Sequence, residues 1–230
     1  MSFGAIRLAS ASDPQQYRPQ FHLTPPSGWT NDPCGMYYAD GLYHLHYLWN
    51  PNTAGWGFDW AHVVSKDLVH WTHWPVSIGN HPKLGQCWSG SGLVDPDNTA
   101  GFQTGDNDVQ VLAFTSNTKQ AGQNVGIAYS NDRGRTWTRY AKNPVIPRPQ
   151  DGNDAFRDPK VFWHKPASKW IMILSRGYMP AGNMFESANL KDWKRISDPP
   201  PGECPDMFEL AVENRPGRKK WVYVSGDYKN

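Results

Sequence analysis

The chain has 230 residues, with 23 Lys+Arg against 21 Asp+Glu, and charged residues make up 19% of it. So even a balance excludes the basic footprint of a nucleic-acid binder or of a protein held on anionic membranes, and no run is apolar for long enough to cross a bilayer as a helix. Twelve Trp, ten Tyr and nine Phe among 20 Pro and 21 Gly instead describe aromatic strands cut by turns, the pattern of an all-β protein.

Residues 1–20, which open MSFGAIRLASASDPQQ, hold no sustained apolar core of the kind a signal peptide needs. The chain also lacks an Asn-x-Ser/Thr acceptor, so the sequence as it stands implies a cytoplasmic protein. It reads as an N-terminal extension, 1–20, ahead of one domain, 21–230. Cys34, Cys87 and Cys204 form an odd set without metal-type spacing. They allow at most one disulfide, and neither a metal site nor a cofactor is expected.

Strand-like segments then come in pairs: GMYYA with LYHLHYLW, SGLVD with VQVLAFTS, KVFWH with KWIMILSR, and DMFEL with KWVYVSG. After each of the first three pairs stands a related string, SKDLVHW (Ser65 to Trp71), SNDRGRTW (Ser130 to Trp137) and SANLKDW (Ser187 to Trp193). A repeat of roughly 50–65 residues, worth about four short strands each, is the arithmetic of a β-propeller. The count predicts three full blades and about half of a fourth. A ring left open in this way would bare apolar blade surface.

Acidic residues recur near the first strand of these units. Asp32 stands in GWTNDPCGMYY, Asp158 before PKVFW, and Glu203 before CPDMFEL. Asn-Asp-Pro is turn chemistry in its own right, because Asn and Asp bond their own backbone and Pro fixes φ. In a propeller, however, equivalent ends of the inner strands open at one mouth, where three distant carboxylates would converge. Glycosidic cleavage needs such a group, one acid to protonate the leaving oxygen and one carboxylate to attack or to activate water. Crowding them raises at least one pKa.

The motifs WTNDPCG, WSGSG, FRDPKVFW and ECPDMFEL, in this order and joined by YHLHYLWNP and DWAHVVSKDLVHW, resemble glycoside hydrolase family 32 from about Phe21 onward. These are the invertases, inulinases, levanases and related fructosyltransferases. The resemblance implies a five-bladed propeller, here cut to about three and a half blades, without the C-terminal β-sandwich that follows it in the family. It implies Asp32 as nucleophile, Glu203 as general acid/base, and Asp158 as the group that holds fructose hydroxyls and stabilises the transition state. The partner would be a fructose-containing oligo- or polysaccharide, cleaved with retention.

The same resemblance places Trp29 and Asn31 in contact with sugar, Trp56, Trp60 and Trp88 in an aromatic wall, and Ser89 as a donor to substrate. Arg157 would keep its neighbour Asp158 ionised, whereas His62 reads as structural. Leu48 stands where the family commonly has Gln, Cys34 where Asn is more usual, and Ala61 where Gly is common. Alternatives to a fructosidase are a fructosyltransferase on the same scaffold, a catalytically silent sugar-binding propeller, and an inverting furanosidase acting on arabinan or xylan.

Overall fold

Each expected strand pair forms an antiparallel hairpin, and each hairpin opens a sheet. The computed structural model describes residues 18–19, 22–52, 57–177 and 179–226, so most of the expected extension lies outside it. The first sheet comprises β1 (Trp29–Ala39), β2 (Leu42–Asn50), β3 (Asp59–Ser65) and β4 (Trp71–Ile78), in that order. The second comprises β5 (Gln86–Asp95), β6 (Val109–Thr118), β7 (Gly122–Ser130) and β8 (Thr138–Arg139). The third runs β9 (Arg157–His164), β10 (Lys169–Ser175), β11 (Asn183–Ser187) and β12 (Lys194–Ser197). A final pair, β13 (Glu203–Ala211) and β14 (Lys219–Gly226), stands alone. Consecutive order in every sheet is the up-and-down meander of a propeller blade.

The first strands of successive blades neighbour one another, β1 against β5, β5 against β9, and β9 against β13. They therefore line the axis. Asp40 and Gly41 close the first hairpin with φ of 50° and 77°, the two positive values that a tight hairpin turn demands and that Asp-Gly supplies cheaply.

The repeated Ser…Trp strings are the turns between the third and fourth strands. Ser65, Ser130 and Ser187 end β3, β7 and β11, and each hydroxyl donates to the acid or amide two residues on, over 3.0, 2.7 and 3.2 Å. The following residue takes a positive φ in all three copies, at Leu68, Arg133 and Leu190. The serine oxygen then accepts a turn N–H, from Leu68 at 2.8 Å, Gly134 at 2.9 Å and Asn189 at 3.1 Å.

Blades adhere through both faces of their middle strands. On β6, Val111 and Ala113 join the apolar cluster shared with the third blade, including Phe156, Trp170 and Met172. Leu112 and Phe114 point the other way, into a cluster with Cys34, Phe58, Trp60 and Cys87 of the first and second blades. Burying one such side chain contributes about 1.5–3 kcal/mol, so β6 must be apolar on both sides. At the two ends of the array apolar side chains remain exposed: Met36 and Tyr38 on β1, Leu210 and Val224 on the last pair.

His44, His46 and His62 sit inside the first blade, with His46 stacked on His62 at 4.1 Å and His44 Nδ1 3.0 Å from His62 Nε2. Burial lowers the pKa of His44 to about 4 and of His46 to about 3, and lowers that of His62 further. The three are neutral core rings, in line with a structural His62.

The turn chemistry makes a testable ranking. Ser130→Ala strips the buried Gly134 N–H of its acceptor, a loss of about 1–3 kcal/mol, whereas the Ser65 turn is only part-buried. Ser130→Ala should lower the thermal midpoint more than Ser65→Ala; equal shifts would show that burial of the turn N–H does not set the cost of losing its acceptor.

Candidate active site

All four inner strands lose their regular ladder at the same end. Register breaks fall between Thr30 and Pro33 on β1, between Trp88 and Gly90 on β5, opposite Ile173 and Ser175 on β9, and between Glu203 and Asp206 on β13. A bulge re-aims side chains and ends pairing. Proline, which cannot donate to the ladder, belongs at such breaks, and Pro33, Pro159 and Pro205 follow Asp32, Asp158 and Cys204 directly. Asp158 and Cys204 take φ of 60° and 46°, each costing on the order of 1–2 kcal/mol for a residue with a Cβ.

These breaks bring Asp32, Asp158 and Glu203 to one cavity of about 310 Å³, lined also by Asn31, Leu48, Trp88, Ser89, Gln123 and Arg157. The Asn31 side chain accepts the Asp32 N–H at 2.8 Å, which sets the local turn. The Ser89 hydroxyl donates to Asp32 Oδ2 at 2.6 Å. Arg157 donates to Glu203 Oε1 from two nitrogens, at 2.6 and 3.1 Å, and stands 3.5 Å from Asp158. Thr115 joins two blades: its hydroxyl donates to the Ser89 carbonyl at 2.9 Å and accepts the Asp158 N–H at 2.8 Å.

The carboxylates differ in exposure. Asp158 is buried, while Asp32 is half-buried and the Glu203 side chain is 46% exposed. Burial pushes the Asp158 pKa up to about 7, with Glu203 and Asp32 adding to the rise and Arg157 opposing it. This corrects the expectation that Arg157 keeps Asp158 ionised. The guanidinium makes its closer contacts with Glu203, and what it offers Asp158 does not offset desolvation.

Other expected contacts also move. Ser89 spends its hydroxyl on Asp32, so it positions that carboxylate where a direct bond to substrate was expected. Trp60 is fully buried, packs edge-on against Phe114, and donates its indole N–H to the Trp88 carbonyl at 3.2 Å; it supports the wall from behind. Trp88 itself lines the cavity. Trp29 packs on Phe58 at 5.2 Å outside the cavity lining, and Trp56 lies outside the described residues. Thr115 and Gln123 had no motif to mark them, because each lies inside an ordinary strand of the second blade.

The family model of the glycosyl hydrolases family 32 N-terminal domain matches residues 22–228. The chain belongs to glycosyl hydrolase family 32. Among curated family members it is 47% identical to a levanase of Bacillus subtilis, over 96% of this chain and 33% of the levanase. An exo-inulinase crystal structure from Aspergillus awamori aligns with a TM-score of 0.83 at 36% identity, covering 90% of this chain and 46% of that one. A fructofuranosidase of Schwanniomyces occidentalis, complexed with fructose, aligns at 0.84 and 39%, covering 93% and 44%. The chain thus spans about a third to a half of the length of these relatives. The all-β propeller-type fold expected from the repeat, and the family 32 membership expected from the motifs, are the ones observed.

The raised Asp158 pKa has a consequence for stability. Its folded value, about 7, lies above an unfolded value of about 3.9. Between these values the unfolded chain gives up the proton first, so stability from this group falls as pH rises from about 4 to 7, by at most about 4 kcal/mol. Asp158→Asn removes that ionisation. It should raise the thermal midpoint at pH 8 and leave it nearly unchanged at pH 4; a gain independent of pH would show that Asp158 titrates normally.

Proposed function

We propose that this chain carries the catalytic site of a retaining β-fructofuranosidase, which hydrolyses terminal fructofuranosyl linkages in fructans or sucrose. The observation that carries the reading is the meeting of three carboxylates at the bulged ends of three inner strands. The names of the relatives, levanase, exo-inulinase and invertase, supply the substrate class.

In this reading Asp32, aligned by Ser89, attacks the anomeric carbon of the fructosyl unit, and Glu203 protonates the departing glycosidic oxygen. That gives a fructosyl ester on Asp32 and a free aglycone. Glu203, now a carboxylate, takes a proton from water, whose oxygen displaces Asp32 and releases fructose. Glu203 is the carboxylate open to solvent, which suits a group that must exchange its proton each cycle. Buried Asp158 would hold ring hydroxyls, and a protonated carboxyl there can donate as well as accept a hydrogen bond. Trp88 would offer its ring to the apolar face of the sugar.

Two measurements test the assignment. Asp32→Asn should lose activity on sucrose, inulin and levan by several orders of magnitude, while Glu203→Gln should retain more on a substrate with a good leaving group, where protonation matters less. Near-wild-type turnover by Asp32→Asn would remove the nucleophile role. Separately, proton NMR of the first-formed fructose should show the configuration of the substrate; an inverted product would favour the arabinan-type alternative.

A further inference from the structure

Two of the breaks in the inner strands end on the same atom. On β5, Trp88 pairs with Thr115 and Gly90 with Phe114, so Ser89 has no partner on β6. On β9, Arg157 pairs with Ser175 and Lys160 with Ile173, so Asp158 and Pro159 together oppose Leu174. A bulged residue drops out of the ladder, and its backbone groups must find other partners. The Ser89 carbonyl and the Asp158 N–H both find the hydroxyl of Thr115, at 2.9 and 2.8 Å.

A hydroxyl serves both groups at once, donating to the carbonyl and accepting from the N–H, which neither a methyl nor a carboxylate can do. Thr115 is fully buried, so water does not stand in for it. The two strands are also pressed together at this point: a Cβ on Gly90 would lie 2.0 Å from the Ala113 carbonyl oxygen. Each bulge leads on to an acid. The Ser89 hydroxyl donates to Asp32 Oδ2 at 2.6 Å, and the second bulge holds Asp158 itself at a φ of 60°. A sister bond lies three residues further along β9, where the Val161 N–H donates to the Ser91 hydroxyl at 2.9 Å. It joins the same two strands and is equally buried, but both of its residues sit in regular ladder.

We infer that Thr115 is a positioning residue for the reaction: its hydroxyl sets the two bulges against each other and thereby fixes Asp32, through Ser89, relative to Asp158. Thr115 does not line the catalytic cavity, so it acts only through the residues it holds. Without the hydroxyl the Ser89 carbonyl and the Asp158 N–H are both left buried and unpaired, and the two bulges relax independently of one another. The Ser91–Val161 bond keeps the blades together but lies too far along the strands to aim either acid.

Three variants test this. Thr115→Val keeps the shape and removes the hydroxyl, Thr115→Ser keeps the hydroxyl, and Ser91→Ala removes the sister bond. Both Thr115→Val and Ser91→Ala should lower the thermal midpoint. Only Thr115→Val should lower kcat on sucrose, by about a hundredfold, and Thr115→Ser should restore most of it. Carbon-13 NMR of the carboxyl groups gives a second readout. The Asp158 midpoint, about 7 in the unsubstituted chain, should fall toward the ordinary carboxylate range in Thr115→Val, because a loosened side chain regains water; Ser91→Ala should leave it in place. Unchanged turnover in Thr115→Val, or an equal loss in Ser91→Ala, would overturn the proposal. The turnover readout rests on the fructosidase reading. An unsubstituted chain that cleaves neither sucrose nor levan would refute that reading, and the midpoint alone would then decide: moved in Thr115→Val only, it upholds the positioning role, and unmoved, it removes it. If Thr115→Val does not fold, Thr115→Cys replaces it. A thiol donates and accepts only weakly, so the same losses are expected in smaller measure, and unchanged turnover with an unmoved midpoint would again overturn the role.

Discussion

A β-strand paired along its whole length points its side chains above and below its sheet. In a radial array of blades that sends them between neighbours, into the apolar layers, and turns only backbone toward the axis. A site on the axis therefore requires the inner strands to break ranks where they reach the mouth. Here four do, at equivalent places. The break leaves ladder groups unpaired, which is where a proline costs least, and it asks Asp158 and Cys204 for left-handed backbone. Strain of this kind persists only where the surroundings over-determine it.

Thr115 shows what over-determines it. One buried hydroxyl touches the strand of Ser89 and the strand of Asp158, and Ser89 in turn holds Asp32. Two carboxylates from different blades are thus referred to a single atom of a third strand. The network's links are hydroxyls, a carbonyl and an N–H, so it fixes position without adding a formal charge. Burial, helped by the neighbouring Glu203 and Asp32, outweighs Arg157, which is why the deepest acid, Asp158, has its pKa raised to about 7 although a guanidinium stands 3.5 Å away.

How much of this the sequence disclosed follows from the range of each signal. The hairpins, the Ser…Trp turns and the three acids depend on residues close together in the chain, and all are legible as strings. Asn-Asp-Pro was legible as turn chemistry for the same reason. Trp60 and Ser89 were misplaced because the side that a residue of a bulged strand faces depends on where pairing slips, and that depends on the partner strand. Trp60 is drawn under the wall by a cluster that includes Cys87 and Phe114 from the second blade. Thr115 and Gln123 could not be seen at all, since their roles exist only between blades.

The junctions that hold the acids are not alike. Between the first and second blades, Cys34 and Cys87 lie buried in the apolar cluster, two residues after Asp32 and two before Ser89. The Asp32–Ser89 pair is therefore anchored by packing right beneath it. No described residue of β13 or β14 belongs to any of the three buried clusters. Near Glu203 the third and fourth blades are joined instead by charges, Arg157 to Glu203 at 2.6 Å and Lys160 to Asp206 at 3.1 Å. Part-exposed ion pairs are worth less than packing and weaken with salt. The geometry thus pins Asp32 and Asp158 and gives the looser mount to Glu203, a division that fits the roles proposed for them.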